Sequence, residues 1–163
     1  MKISELMTHD PVTASPDTNL AAAAALMLEA DCGILPVVTD GKLRGVVTDR
    51  DLFIALGTRD QKASALTIAD VMKDRLYTCG PEDDVEAVLE TMRQHAVRRL
   101  PVEGFGHTIV GIVSMNDIVL AVGGKKAVRG AVVVDTLQSI CAHHHAGIQI
   151  LRRALEAPAL DAA

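Results

Sequence analysis

The chain has 163 residues, of which 49% are hydrophobic and 23% are charged, and its formal net charge is −5. This composition supplies enough apolar side chains for a buried core and argues against an intrinsically disordered chain. Aromatic residues make up only 2% of the sequence. A general nucleic-acid binder needs stacking platforms and a basic surface, so the composition excludes that class.

The N-terminal residues lack the apolar run of a signal peptide. The longest apolar stretch, Leu20–Leu28, is far shorter than the roughly 20 residues that a membrane-spanning helix requires. Three widely spaced cysteines, Cys32, Cys79 and Cys141, are typical of free thiols in a reducing compartment, with an intersubunit disulfide as the alternative. We therefore expect a cytoplasmic protein without a membrane segment.

Residues 1–61 predict five elements in the order strand, helix, strand, strand and helix. The helical segments are rich in Ala, Leu and Met, whereas the strands are rich in Val and Ile. Pro36 places its strand at a sheet edge or a bulge, because proline cannot donate to the ladder. The predicted spans are Pro11–Ala14, Asn19–Asp31, Ile34–Val38, Leu43–Thr48 and Asp49–Leu56.

Residues 62–124 repeat this order. At an offset of 65 residues, Thr13, Pro16, Ala22, Met27, Leu35, Pro36 and Val37 recur as Thr78, Pro81, Ala87, Met92, Leu100, Pro101 and Val102. At an offset of 66, Gly45, Val47, Asp51 and Ala55 recur as Gly111, Val113, Asp117 and Ala121. A longer hairpin turn in the second copy explains the change of offset. Two such small units are expected to pack as one body, with ligand clefts between them.

The tail, residues 125–163, follows the break at Gly123–Lys126. Its apolar positions recur at spacings of three and four, which is typical of an amphipathic helix. They are Val133, Leu137, Ile140, His144, Ile148, Leu151 and Leu155. We expect the apolar face of this helix to be covered by the repeats or by a second chain.

The segments Gly45–Asp51 and Gly111–Asp117 share one pattern: Gly, two aliphatic residues, a hydroxyl residue, two variable positions and Asp. Thr48 and Ser114 end a strand and can cap the next helix, so the pattern predicts a capping box with Asp in place of Glu. The same geometry suits a nucleotide. The hydroxyl and the backbone N–H groups can donate to a phosphate, and the carboxylate can accept hydrogen bonds from a ribose diol. Both interpretations remain open at this point.

With Leu-Pro-Val before each hairpin and this pattern after it, the chain resembles the tandem cystathionine-β-synthase (CBS) domain pair, or Bateman module. Small stand-alone bacterial members, including hypoxia-response proteins, are similar. The resemblance covers about residues 1–122. It implies an α/β (α+β) fold of two pseudo-symmetric β-α-β-β-α repeats packed through their sheets, with a C-terminal helical tail added. It also implies a homodimer.

The resemblance further implies a regulatory adenosyl ligand (AMP, ADP, ATP or S-adenosylmethionine) in one or both clefts, and no catalytic cofactor. By match to the family motif, the ribose hydroxyls are expected on Asp51 and Asp117. The helix-capping hydroxyls expected to reach the phosphates are those of Thr48 and Ser114. Contacts to adenine are expected from Ile34, Leu35, Arg99 and Leu100, and closure of the base pocket from Thr13, Ala14, Thr78 and Cys79.

Arg98 and Arg99 make the two copies unequal, because their counterparts are Gly33 and Ile34. Guanidinium groups that point into a cleft can hold phosphates. We expect the cleft nearer these arginines to prefer phosphorylated ligands. Solvated charges at a strand end are the alternative.

Two further signals are not interpreted as sites. Consecutive residues on a helix are about 100° apart, so His143, His144 and His145 cannot converge on one metal ion. Cys141 and His145 are four residues apart, but no third group is evident to orient them for catalysis.

We therefore interpret the chain as a non-enzymatic regulatory protein that signals by a conformational change when its adenosyl ligand binds. Its other expected partners are a second copy of the chain and an unidentified protein target, with no nucleic acid and no membrane. The alternative is a ligand-free dimerisation or scaffold protein that acts through its C-terminal helix.

Overall fold

The computed structural model of the chain describes residues 1–73, 75–123 and 128–142. The helices are α1 (Leu20–Glu29), α2 (Asp49–Thr58), α3 (Val85–His95) and α4 (Met115–Leu120). The strands are β1 (Thr8–His9), β2 (Ile34–Thr39), β3 (Lys42–Thr48), β4 (Arg99–Glu103) and β5 (Ile109–Ser114). Residues 130–142 form a further helix, here called the C-terminal helix. The mixed α/β architecture with two matching repeats confirms the predicted fold class.

The first strand of each repeat is reduced to one bridging residue. Ala14 pairs in parallel with Val37, and Cys79 pairs in parallel with Val102. The extended segment predicted over Pro11–Ala14 therefore pairs only at its last residue. The prolines around Ala14 lack an N–H group, which prevents a longer ladder.

The hairpin β2–β3 forms an antiparallel two-stranded sheet. Asp40 and Gly41 connect its strands with φ values of 51° and 71°, the left-handed conformation that a two-residue Asp-Gly hairpin turn adopts. The register shifts between Val37 and Val38, directly after Pro36. The extra residue at this irregularity is Arg44 on β3, so the bulge lies opposite the strand that contains Pro36.

The second sheet has the strand order β1-β5-β4. Strand β1, which the sequence pattern did not predict, pairs antiparallel with β5 and places Thr8 opposite Ile112. Strand β4 lies at the edge of this sheet, where its Pro101 loses no ladder bond. A 3-10 turn over Phe105–His107 connects β4 and β5, and this connection is longer than the first hairpin turn, as the change of offset predicted.

A short segment ahead of each repeat packs on the glycine that begins the signature of the other repeat. A Cβ atom on Gly111 would lie 2.6 Å from Sδ of Met7 and 2.9 Å from the carbonyl oxygen of Thr8. A Cβ atom on Gly45 would lie 2.5 Å from Cε of Met72. The two glycines therefore permit a close approach that a larger residue would block.

The core around the first repeat includes residues from beyond its predicted end. Leu66 accepts a hydrogen bond from the backbone N–H of Leu20 at 2.9 Å, and Ile68 donates one to Thr18 at 2.9 Å. The cluster of buried residues comprises Ala14, Leu20, Ala23, Met27, Leu35, Val37, Val47, Leu52, Ala55, Leu66 and Ile68. The repeat boundary at residues 61 and 62 stays a prediction.

Internal contacts divide the chain into two compact units. One comprises Lys2–Asp83 and Leu100–Val113 and contains α1, α2 and the paired strands of both sheets. The other contains α3, α4 and the C-terminal helix, and Arg129 pairs there with Glu86 at 3.3 Å.

The described part of the C-terminal helix has a buried stripe. Val133, Thr136 and Ile140 are 3% exposed or less. Val133 and Ile140 were predicted on the apolar face, whereas the predicted stripe residues from His144 onward lie outside the described residues.

The segments around Met7 and Met72, which each pack on the signature glycine of the other repeat, are here called the crossing segments. The two glycines allow a matched test of these contacts. We expect Gly111→Ala to destabilise the fold by about 1–3 kcal/mol, the usual range for overpacking, because its Cβ meets the backbone carbonyl of Thr8. In Gly45→Ala the new Cβ atom has the flexible end of Met72 as its nearest contact. This variant should therefore lose less unfolding free energy. Urea unfolding midpoints at unchanged m-value would measure the difference. Equal losses would contradict this assignment.

Candidate functional site

The start of α2 is closed by a capping box. Oδ2 of Asp51 accepts hydrogen bonds from the backbone N–H of Thr48 at 3.0 Å and from Oγ1 of Thr48 at 2.6 Å. The backbone N–H of Asp51 donates in return to Oγ1 of Thr48 at 3.3 Å. These bonds satisfy helix N-terminal donors and fix the direction of the carboxylate.

The second oxygen of Asp51 carries an ion pair that the sequence analysis did not anticipate. Nζ of Lys73 lies 2.9 Å from Oδ1 of Asp51, and the two side chains are 72% and 9% exposed respectively. Burial raises the pKa of Asp51, but the hydrogen bonds from Thr48 and Lys73 and the lysine charge outweigh it and hold the pKa below its usual value. The carboxylate is therefore ionised at neutral pH.

The first backbone N–H groups of α2 have partners within the protein. The N–H of Asp49 donates to the carbonyl of Gly33 at 3.4 Å. The N–H of Arg50 donates to Oδ1 of Asp49 at 2.7 Å. With the N–H of Asp51 bonded to Thr48, the helix start offers few vacant donors to an anion. The role of Thr48 at a phosphate stays a prediction.

The start of α4 repeats the capping box without the lysine. Oδ2 of Asp117 accepts hydrogen bonds from the backbone N–H and from Oγ of Ser114, both at 2.7 Å. The N–H of Met115 donates to the carbonyl of Arg98 at 2.9 Å. Within residues 1–73, 75–123 and 128–142, Asp117 has no ion-pair partner. Its role at a ribose, and that of Ser114 at a phosphate, stay predictions.

The first-copy residues predicted to contact adenine lie on one side of the β2–β3 hairpin. Ile34 pairs with Thr48 across the hairpin. The N–H of Ala14 donates to the carbonyl of Pro36 at 3.0 Å. Ile34, Leu35 and Ala14 are buried and Thr13 is exposed. Since Leu35 and Ala14 belong to the core, their contacts to a ligand would come from the backbone.

The second-copy residues are divided between the two compact units. Cys79 and Leu100 are buried in the unit of the sheets, where Oγ1 of Thr78 donates to Glu103 at 3.2 Å. Arg98 and Arg99 belong to the other unit, and both are exposed. The role of these arginines at a phosphorylated ligand stays a prediction.

Cys79 has the properties of a residue that lines a pocket rather than those of a nucleophile. Burial, with a contribution from the charge of Asp83, raises the pKa of the Cys79 thiol to about 12. The protonated thiol is a poor nucleophile. All three cysteines lie in the described part of the chain, and the structure places none of them in a disulfide.

A cavity of about 380 Å³ lies beside Cys79, at the turn end of β4 and β5. Its lining includes Thr78, Asp83, Glu103 and His107. Within this lining, Nδ1 of His107 lies 2.7 Å from Oε1 of Glu103.

The described residues contain no group of three or more His, Cys, Asp or Glu side chains arranged to hold a metal ion. His143, His144 and His145 lie outside that part of the chain. Among those same described residues, no helix combines the length and the apolar character needed to cross a membrane.

The sequence also contains a signal for the position of Lys73, and it lies N-terminal to the repeated residues described above. Ile3 recurs as Ile68 and Met7 recurs as Met72, at the same offset of 65 residues. The repeat therefore extends to these positions, and each copy begins with this segment. Lys73 follows Met72, and its counterpart after Met7 is the uncharged Thr8.

Comparison with known proteins connects this geometry to a family. The sequence profile of the CBS domain matches residues 3–58 and 68–124. The CBS domain-containing protein YhcV of Bacillus subtilis (strain 168) is 37% identical over 117 residues, which are 71% of this chain and 81% of that protein.

Solved structures show the same paired repeats. The CBS domain pair of protein MJ0100, in complex with 5′-methylthioadenosine and S-adenosyl-L-methionine, superimposes with a TM-score of 0.68 at 26% identity, covering 74% of this chain and 94% of that one. Hypoxic Response Protein I with two coordinated zinc ions gives a TM-score of 0.67 at 30% identity, covering 74% and 98%.

Asp51→Asn tests the capping box. We expect a loss of about 1–2 kcal/mol in unfolding free energy at pH 7, since a charged acceptor at the helix start is lost. The folded pKa of Asp51 is depressed, so its contribution is complete above the unfolded pKa and is lost as pH falls through the folded pKa. The gap between wild type and variant should be constant from about pH 5 to 7 and should shrink below about pH 4.

Asp70 offers a matched control. Its Oδ2 accepts hydrogen bonds from the N–H and the hydroxyl of Thr67, both at 2.8 Å, but the residue is exposed. Asp70→Asn should cost less than Asp51→Asn in the same urea titrations. A loss for Asp51→Asn that is the same at pH 3 and pH 7 would contradict the role of its charge.

Proposed function

The chain belongs to the CBS-domain family, and on that premise we propose that it is a regulatory protein that binds an adenosyl ligand. The observation that carries the proposal is the pair of capping boxes at matching points of the two repeats. Each box holds one carboxylate, Asp51 or Asp117, in a fixed orientation. A carboxylate held in a fixed orientation is a suitable acceptor for the two hydroxyl groups of a ribose.

The related pair from MJ0100 supports the ligand class. Its two ligands, 5′-methylthioadenosine and S-adenosyl-L-methionine, share an adenosine with a free ribose diol. We carry over that shared part alone. The candidates for this chain are therefore AMP, ADP, ATP and S-adenosylmethionine, at the junctions β3–α2 and β5–α4.

We propose that binding is regulatory rather than catalytic, and that the protein acts in the cytoplasm. The protonated Cys79 thiol beside the predicted base pocket is unsuited to attack a ligand. Its ligand can change the protein only by binding one conformation more tightly than another. A second copy of the chain or a separate protein target would receive that change.

Exposed apolar residues on two helices support the second copy. On α2, Phe53 is 77% exposed, with Ile54 and Leu56 beside it at 47% and 44%. On α4, Leu120 is 85% exposed beside Val119 at 45%. Since soluble monomers rarely leave contiguous apolar patches open, we propose that the exposed face of α2 forms a homodimer interface.

Thermal unfolding tests the ligand. At a hundredfold excess over its dissociation constant, AMP, ATP or S-adenosylmethionine should stabilise the protein by about 2.7 kcal/mol. The double variant Asp51→Ala, Asp117→Ala should lose this shift, and Asp70→Ala should keep it. If none of the compounds moves the midpoint of the wild type, the ligand-free scaffold that acts through the C-terminal helix becomes the better account.

Phe53→Asp tests the dimer, because it places a charge on the apolar face of α2. We expect light scattering coupled to size exclusion to show a dimer for the wild type and a monomer for the variant. Phe105→Asp is the control, since that phenylalanine is exposed in the β4–β5 turn. A dimer that survives Phe53→Asp would place the interface elsewhere.

A further inference from the structure

We propose that Lys73 makes the Asp51 junction selective for adenosine phosphates. Its ammonium group leaves Asp51 for a phosphate oxygen when a ribose diol takes over the carboxylate. This inference rests on the proposed function, and it names the ligand class and the specificity-determining residue of one of the two junctions.

A diol must compete for Asp51, because both carboxylate oxygens are engaged. Oδ2 accepts the two hydrogen bonds from Thr48 that cap α2. Oδ1 pairs with Lys73 at 2.9 Å. The partner that can yield at little cost to the fold is Lys73, whose side chain is 72% exposed. Ion pairs with such exposed lysines contribute little to stability.

The backbone at the start of α2 offers few hydrogen-bond donors to a phosphate. The N–H groups of Asp49, Arg50 and Asp51 already donate to protein acceptors. The hydroxyl of Thr48 donates to Asp51. A phosphate at this junction therefore needs a side-chain donor. The displaced ammonium supplies one, with three N–H groups on a flexible stem.

The backbone at Lys73 is anchored although its side chain is free to move. Met72 packs against Gly45, and Ile68 is fully buried. The guanidinium of Arg59, at the end of α2, donates to the carbonyl of Asp70 at 2.5 Å. A fixed backbone with an exposed side chain lets the ammonium move between two acceptors without refolding the segment.

The charge of the ligand then determines whether the ammonium of Lys73 gains a new partner when it leaves Asp51. A phosphate attached to the same ribose gives the ammonium a new anionic partner close to the old one, which is a charge-assisted contact. Adenosine gives it none, and the sulfonium of S-adenosylmethionine repels it. The counterpart of Lys73 in the other copy is Thr8, which carries no charge. Selection by this lysine is therefore confined to the Asp51 junction.

Isothermal titration of AMP and adenosine tests the assignment. An Asp117→Ala background limits the signal to the Asp51 junction. In that background we expect AMP to bind at least about tenfold more tightly than adenosine. Lys73→Met should reduce this ratio to near one by weakening AMP while adenosine binds as well or better. Lys73→Arg should preserve the ratio, and so should the exposed control Lys62→Met.

The outcomes separate this inference from the proposed function. If the wild type binds neither AMP nor adenosine, this inference falls. If ADP, ATP and S-adenosylmethionine do not bind either, the proposed function falls with it. If the wild type binds AMP but the Asp117→Ala protein does not, or if Lys73→Met keeps the AMP-to-adenosine ratio, Lys73 is not the selector and the proposed function stands. An equal fall of the ratio in Lys62→Met would assign the effect to net charge and would also overturn the inference.

Discussion

The structure depends on how two helix starts satisfy their backbone N–H groups. A helix that begins directly at the end of a strand leaves donors without intrahelical partners, and these must be met by nearby acceptors. Thr48 with Asp51, and Ser114 with Asp117, meet this need at α2 and α4. Because the cap requires the carboxylate, its position and direction are set by folding. Any ligand that uses it meets a preorganised acceptor.

The crossing segments connect this local requirement to the rest of the fold. Strand β1 completes the sheet of the second repeat, and residues 66–68 complete the core of the first. The second crossing segment also places Lys73 against Asp51 of the first repeat, although Lys73 lies beyond that repeat in sequence. A pair of repeats built in this way cannot be separated at a sequence boundary without removing a strand from one and a cation from the other.

The sequence predicted those features that depend on nearby residues. Capping boxes span four residues, and Asp-Gly specifies its turn by backbone preference. The features that the sequence did not predict depend on residues that are distant in the chain. Strand β1 is two residues long and has no periodicity to detect, since its pairing with β5 defines it. Lys73 is an ordinary exposed lysine until the fold places it on Asp51.

The repeats are alike where the helix starts must be capped and different in the charges around the caps. Asp51 shares its carboxylate with an ammonium, whereas Asp117 has no such partner within the described residues. In the other direction, Arg98 and Arg99 stand where the first copy has Gly33 and Ile34. Under the proposed function, two junctions with one acceptor geometry but different neighbouring charges are expected to differ in their affinity for ligands of different charge. On that premise, the two junctions would favour two different adenosyl compounds.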